Sequence, residues 1–119
     1  MFDITVLERP GRGGSRMTAF EAALFDTGRP ILMAPPEPPT TLGDTVLIPW
    51  NASSETVRAM ALSMPILKRA RRVSFIAVEG SIVQGPSVKE ALGYLEAHGI
   101  QATEKTVAGT SQKAGELIL

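Results

Sequence analysis

The sequence predicts an α/β protein built on a mostly parallel sheet of five strands. Three observations predict it. Short runs rich in β-branched residues alternate with segments whose apolar positions recur at helical spacing, the pattern of parallel strands joined by right-handed crossovers. The 44% hydrophobic share is carried by Ala, Val, Ile, Leu and Met, with one Trp and one Tyr, as in a sheet covered by helices. The 119 residues fit one domain, long enough to bury about 65% of its unfolded surface.

Asp3–Leu7 (DITVL) reads as a buried strand running into Gly/Pro punctuation. The loop Glu8–Ser15 holds three glycines, and Ser15 is placed to cap a helix over Arg16–Asp26. Met17, Phe20, Ala23 and Leu24 fall on one face of that helix, and Gly28 stops it. Pro30–Ala34 is the second strand. Residues 36–44 read as a linker between parts 1–35 and 45–119. Around its start, four prolines in five residues (Pro35, Pro36, Pro38, Pro39) exclude a sheet interior or a helix and favour an extended chain.

Thr45–Trp50 is the third strand. A helix follows from about Glu55 to Arg69, capped by Ser53 or Ser54 and kinked or restarted at Pro65. Arg72–Val78 is the fourth strand, Ser87–His98 a helix stopped by Gly99, and Ala102–Val107 (ATEKTV) an edge strand with a solvated face. Lys113–Leu119 opens a last helix. Met17, Met33, Met60 and Met64 read as core filler, and His98 as a helix C-terminal cap.

Twelve basic and twelve acidic residues leave no net charge to steer nucleic acid or an anionic membrane. With no cysteine there is neither a disulfide framework nor thiolate chemistry. No run of 18 apolar residues and no leader pattern are present, so the expected compartment is the cytoplasm. One His without a nucleophile partner, no HxxxH or CxxC spacing and no Walker Lys point away from an enzyme and from a metal site.

Three stretches resemble the universal stress protein family. Phe20–Pro36 (FEAALFDTGRPILMAPP) looks like that family's last helix and last strand. Val46–Ser53 (VLIPWNAS), with Ala59, Pro65-Ile66-Leu67 and Ala70, looks like its first strand and helix. Tyr94–Ile100 (YLEAHGI) resembles the end of its second helix. The family order is permuted here, with the last part first, as in the end of one domain plus most of the next in a tandem member, or in a permuted single domain. The resemblance implies one sheet in the order 102–107, 73–78, 45–50, 3–8, 30–34, helices on both faces, and a fold of the adenine-nucleotide alpha-hydrolase kind. The linker reaches about 30 Å, enough to close the two parts within one chain. The alternative is exchange with a second chain in a swapped homodimer.

In a doubly wound sheet the ligand sits outside the strands' carboxyl ends where strand order reverses. That places the candidate site at Gly11, Gly13, Gly14 and Ser15, whose backbone N–H groups could cradle phosphate, and at Trp50, Asn51, Ser53 and Val78. Val78 matches the position whose backbone meets adenine in the family. The family's Gly-x-x-Gly, nine residues, Gly-Ser pattern reads Glu8-Arg9-Pro10-Gly11, nine residues, Glu21-Ala22. Only Gly11 is kept, and two carboxylates stand where phosphate oxygens would approach. Trp50 either stacks on a base or packs under the neighbouring loop, and Asn51 can hydrogen-bond a ribose hydroxyl. The expected function is a non-enzymatic, homodimeric stress-response or interaction module without a required cofactor. A regulator that binds ATP or AMP through Gly11–Ser15 is the alternative.

Overall fold

The computed structural model describes residues 4–11, 15–78 and 80–108. The expected last helix at 113–119 lies outside them, as do Gly13 and Gly14. The chain divides into two compact units, Met1–Leu42 and Gly43–Leu119.

The first unit is a single βαβ: β1 (Thr5–Glu8), α1 (Ser15–Asp26) and β2 (Ile31–Ala34). The two strands are parallel, with Thr5 opposite Ile31 and Glu8 opposite Ala34. Gly28 turns the chain after α1 at φ +60°, a conformation that carries no steric cost only in glycine. The Thr27 hydroxyl donates to the Ala23 carbonyl at 2.6 Å and accepts the Arg29 N–H at 3.2 Å. Glu8 meets Arg16 at 3.3 Å, an exposed pair that contributes little. The expected buried strand forms but is not buried. Val6 is 59% exposed, and none of this unit's described residues is buried. Two parallel strands and one helix leave most apolar side chains without a second layer. Met33 is exposed for the same reason.

The second unit holds the core. Its elements are β3 (Thr45–Pro49), α2 (Ser54–Leu62), α3 (Met64–Leu67), β4 (Arg72–Val78), α4 (Val88–Ala97) and β5 (Ala102–Val107). The strands form a parallel sheet in the order β3-β4-β5, with Ile48 opposite Phe75 and Phe75 opposite Glu104. Ser53 caps α2 by accepting the Thr56 N–H. Pro65 opens α3 as a new turn, where its missing N–H is not needed. Gly99 ends α4 at φ +78°, and His98 Nδ1 lies 2.8 Å from the Tyr94 carbonyl in the last turn. β5 is an edge strand, as its alternating sequence predicts, with Glu104 and Lys105 exposed.

Phe75 and Leu95 are fully buried at the centre of a cluster with Ile48, Met60, Leu67 and Val73. Because β4 side chains alternate, Val73 and Phe75 share one face, and residues of both α2 and α4 pack there. Two right-handed crossovers stepping in the same direction put both helices on the same side. Among the described residues of this unit, both long helices lie on one face.

The single five-stranded sheet is also corrected. There are two parallel sheets, of two and three strands, and the expected pairing of 45–50 with 3–8 is not made. Two features of the chain oppose it. The Trp50 N–H bonds the Ile76 carbonyl on β4 at 2.8 Å. By alternation the nitrogen at position 49 faces the open edge of β3, and proline has no hydrogen there to donate. The link from β2 to β3 also carries no helix, whereas parallel strands of one sheet are usually joined by crossovers of a dozen or more residues, most often helical. No helix among the described residues is long and apolar enough to cross a membrane.

Candidate functional site

The carboxyl ends of β3 and β4 carry the loops Trp50–Ser53 and Gly80–Ser87, which clasp each other. Trp50 is 3% exposed. Its indole N–H donates to the Pro86 carbonyl at 3.0 Å, and its ring meets Phe75 edge-on at 5.5 Å between centroids. Of the two roles open to Trp50, packing under the neighbouring loop is the one realised. The Val83 N–H donates to the Asn51 carbonyl at 2.9 Å. Ala52 between them is buried at φ +66°, a left-handed conformation that costs a non-glycine residue about 1–2 kcal/mol. It persists because the clasp over-determines it. Gly85 lies directly against Ala52: a methyl group there would sit 2.0 Å from the Ala52 carbonyl oxygen.

Asn51 and Ser53 form a closed set of hydrogen bonds. Asn51 Oδ1 accepts the Ser53 N–H at 3.0 Å and the Thr56 hydroxyl at 2.6 Å. The Thr56 proton is thus spent, so the Ser53 hydroxyl is the donor across the 2.9 Å Ser53–Thr56 contact. Asn51 keeps only its amide N–H groups for a ligand. The Val78 carbonyl, at the end of β4, already accepts the Ser81 N–H at 3.1 Å and the Ser81 hydroxyl at 2.7 Å.

Trp50, Asn51, Ser53 and Val78 are therefore gathered in the second unit. Gly11 and Ser15 belong to the first, and Gly13 and Gly14 lie outside the described residues. Ser15 is the first residue of α1. A methyl group on Gly11 would meet no atom within 4 Å, so this glycine is not reserved by a close approach of other described chain atoms. Beneath the clasp a cavity of about 470 Å³ is lined by Trp50, Ala52, Val78, Lys89, Glu104 and Thr106. Its one cation and one carboxylate, the bonded Val78 carbonyl and the occupied Asn51 oxygen do not make a triphosphate cradle. Among the described residues, those lining this cavity do not fit ATP.

Sequence reasoning missed two features here. The first is the Gly80–Ser87 loop with its Gly85 contact, which no local pattern announces. The second is legible: Ser87-x-x-Glu90 is a capping-box signature. Ser87 accepts the Glu90 N–H at 3.2 Å, while Glu90 Oε2 accepts the Ser87 N–H at 2.8 Å. The Ser87 N–H, and then its hydroxyl, hold the Glu90 carboxyl below its ordinary value. A lowered folded-state value stabilises the fold above the ordinary glutamate value of about 4.3, and that contribution is lost as the pH falls through the folded value. Ser87→Ala is expected to cost about 1 kcal/mol at neutral pH. It is also expected to shrink, without abolishing, the acid dependence, since the backbone N–H remains. Urea midpoints between about pH 3 and pH 7 measure both effects.

No family model, curated protein or solved structure matches this chain. The resemblance to universal stress proteins thus rests on the quoted stretches alone.

Proposed function

We propose that this chain is a non-enzymatic, universal-stress-protein-like stress-response or interaction module that works as a homodimer and binds adenine nucleotides weakly or not at all. The observation that carries this reading is the exposed βαβ of the first unit. It buries none of its described residues, and Ile4, Val6, Leu24 and Phe25 stand open to solvent. Parallel strands are ordinarily covered on both faces, and an open strand edge is a template for another chain. The Thr5 and Arg9 N–H groups bond β2 at 3.1 and 3.0 Å. By alternation the Val6 and Glu8 N–H groups face the free edge of β1. In the proposed dimer that edge pairs with the same edge of β1 in a second copy, antiparallel across the two-fold axis.

Light scattering across protein concentration tests this. A mass that doubles with concentration is expected, and a strict monomer at the highest concentration sinks the proposal. Val6→Pro removes a free-edge donor while sparing the bonds to β2. It is expected to weaken the dimer by at least about tenfold, from one hydrogen bond lost in each copy. On the same samples, millimolar ATP or AMP is expected to leave the melting temperature unchanged. A nucleotide at a hundred times its dissociation constant would instead add about 2.7 kcal/mol.

A further inference from the structure

Because their sheet is parallel, β3, β4 and β5 all begin at the end opposite the clasped loops. There Lys68-Arg69-Ala70-Arg71-Arg72 places four of the chain's twelve basic residues within five positions, from the C-cap of α3 to the first residue of β4. All four are exposed, and among the described residues none makes an ion pair or a side-chain hydrogen bond. Asp44 and Glu96, carried at the same end, pair with none of them. The backbone fixes the cluster: the Asp44 carbonyl accepts the Arg71 and Arg72 N–H groups at 2.9 and 3.1 Å. A helix C-terminus favours a nearby cation, but four crowded cations repel one another, and an anionic partner removes that cost. The surface beside them is apolar. Ile66 is 41% exposed and lies against the Gly43–Asp44 turn, where a methyl group on Gly43 would meet its Cγ2 at 3.1 Å. Leu62, one turn earlier, is 51% exposed. Residues 62–72 include no aromatic ring on which a base could stack.

From this juxtaposition of four unpaired cations and exposed aliphatic side chains, we infer that the amino end of the three-stranded sheet docks on an anionic phospholipid surface. The three guanidinium groups, whose planar forks match phosphate, and the Lys68 ammonium meet the headgroups. Ile66 and Leu62 enter the interfacial layer beside them. The chain's zero net charge does not oppose this. Exposed charges more than about 8–10 Å apart are largely screened at physiological salt, so at contact the facing cations decide. The surface belongs to the second unit and is separate from the β1 edge of the proposed dimer, so it stands or falls independently of that reading.

Sedimentation of the whole chain with lipid vesicles tests this. Each cation near an anionic surface is worth about fivefold in partition, and Asp44 and Glu96 offset part of the four. Phosphatidylcholine vesicles carrying about 30% phosphatidylserine are therefore expected to bind the chain at least about tenfold more tightly than pure phosphatidylcholine. Salt at about 0.5 M is expected to remove the difference. Arg71→Gln with Arg72→Gln keeps both backbone bonds to Asp44, and an unchanged melting curve checks that the fold is kept. It is expected to lower binding to the anionic vesicles by at least about tenfold. Lys89→Gln with Lys105→Gln removes the same charge away from the cluster and is expected to leave binding unchanged. Ile66→Ser is expected to weaken binding by at least about threefold without altering its salt dependence. Random duplex DNA at equal phosphate concentration is expected not to strip the chain from the vesicles. Equal binding to both vesicles, undiminished binding in the double arginine variant or in Ile66→Ser, or release by the duplex would overturn the assignment.

Discussion

Trp50→Ala is expected to lower the unfolding free energy by about 3–5 kcal/mol, a large share of the total for a small domain. Three losses combine. The indole is 3% exposed and belongs to the central cluster, so its removal leaves a void between two cavities that already flank it. The edge-on contact with Phe75 disappears. The Pro86 carbonyl, which accepts the indole N–H at 3.0 Å, is left without its donor. Urea denaturation followed by circular dichroism measures the change. Trp50→Phe keeps most of the carbon surface and loses only the donor, so its cost is expected to be smaller. Equal stability of Trp50→Ala and the parent chain would mean that Trp50 does not pack in the core.

Gly85→Ala is expected to cost about 2 kcal/mol or more, the scale of overpacking where neighbours cannot yield. The added methyl would lie 2.0 Å from the Ala52 carbonyl oxygen and 3.0 Å from its carbon. Both are backbone atoms, in a loop already held at positive φ and tied by the Val83–Asn51 bond. The loop must therefore leave, taking the Pro86 acceptor away from Trp50. Gly93→Ala is the control with the opposite sign. A methyl there meets nothing within 4 Å, and it lies in the interior of α4, where alanine is favoured over glycine by about 1 kcal/mol. The two variants should move the urea midpoint in opposite directions, and the same direction for both would contradict the close approach at Gly85.

The elements and their limits were legible because their signals are local. Gly28 and Gly99 end helices at positive φ, Pro65 restarts one, Ser53 caps one, and the β-branched runs form the strands. Ser87-x-x-Glu90 was equally legible and went unread. The candidate site was legible only in part. Trp50, Asn51, Ser53 and Val78 do gather at the strand ends, but their hydrogen-bonding groups are largely used by the loops themselves.

By itself the chain determined where it folds locally: turn chemistry, caps and the period of its apolar residues act within a few positions. Its tertiary structure alone decided which strands pair and what Trp50 does. Those outcomes join residues far apart, as the bond from Trp50 to Pro86 spans 36 positions. Pairing also depends on which backbone N–H groups remain to be given. Pro49, local in its effect on φ, became decisive only once β4 had taken the Trp50 N–H and left a nitrogen with no hydrogen facing the open edge of β3.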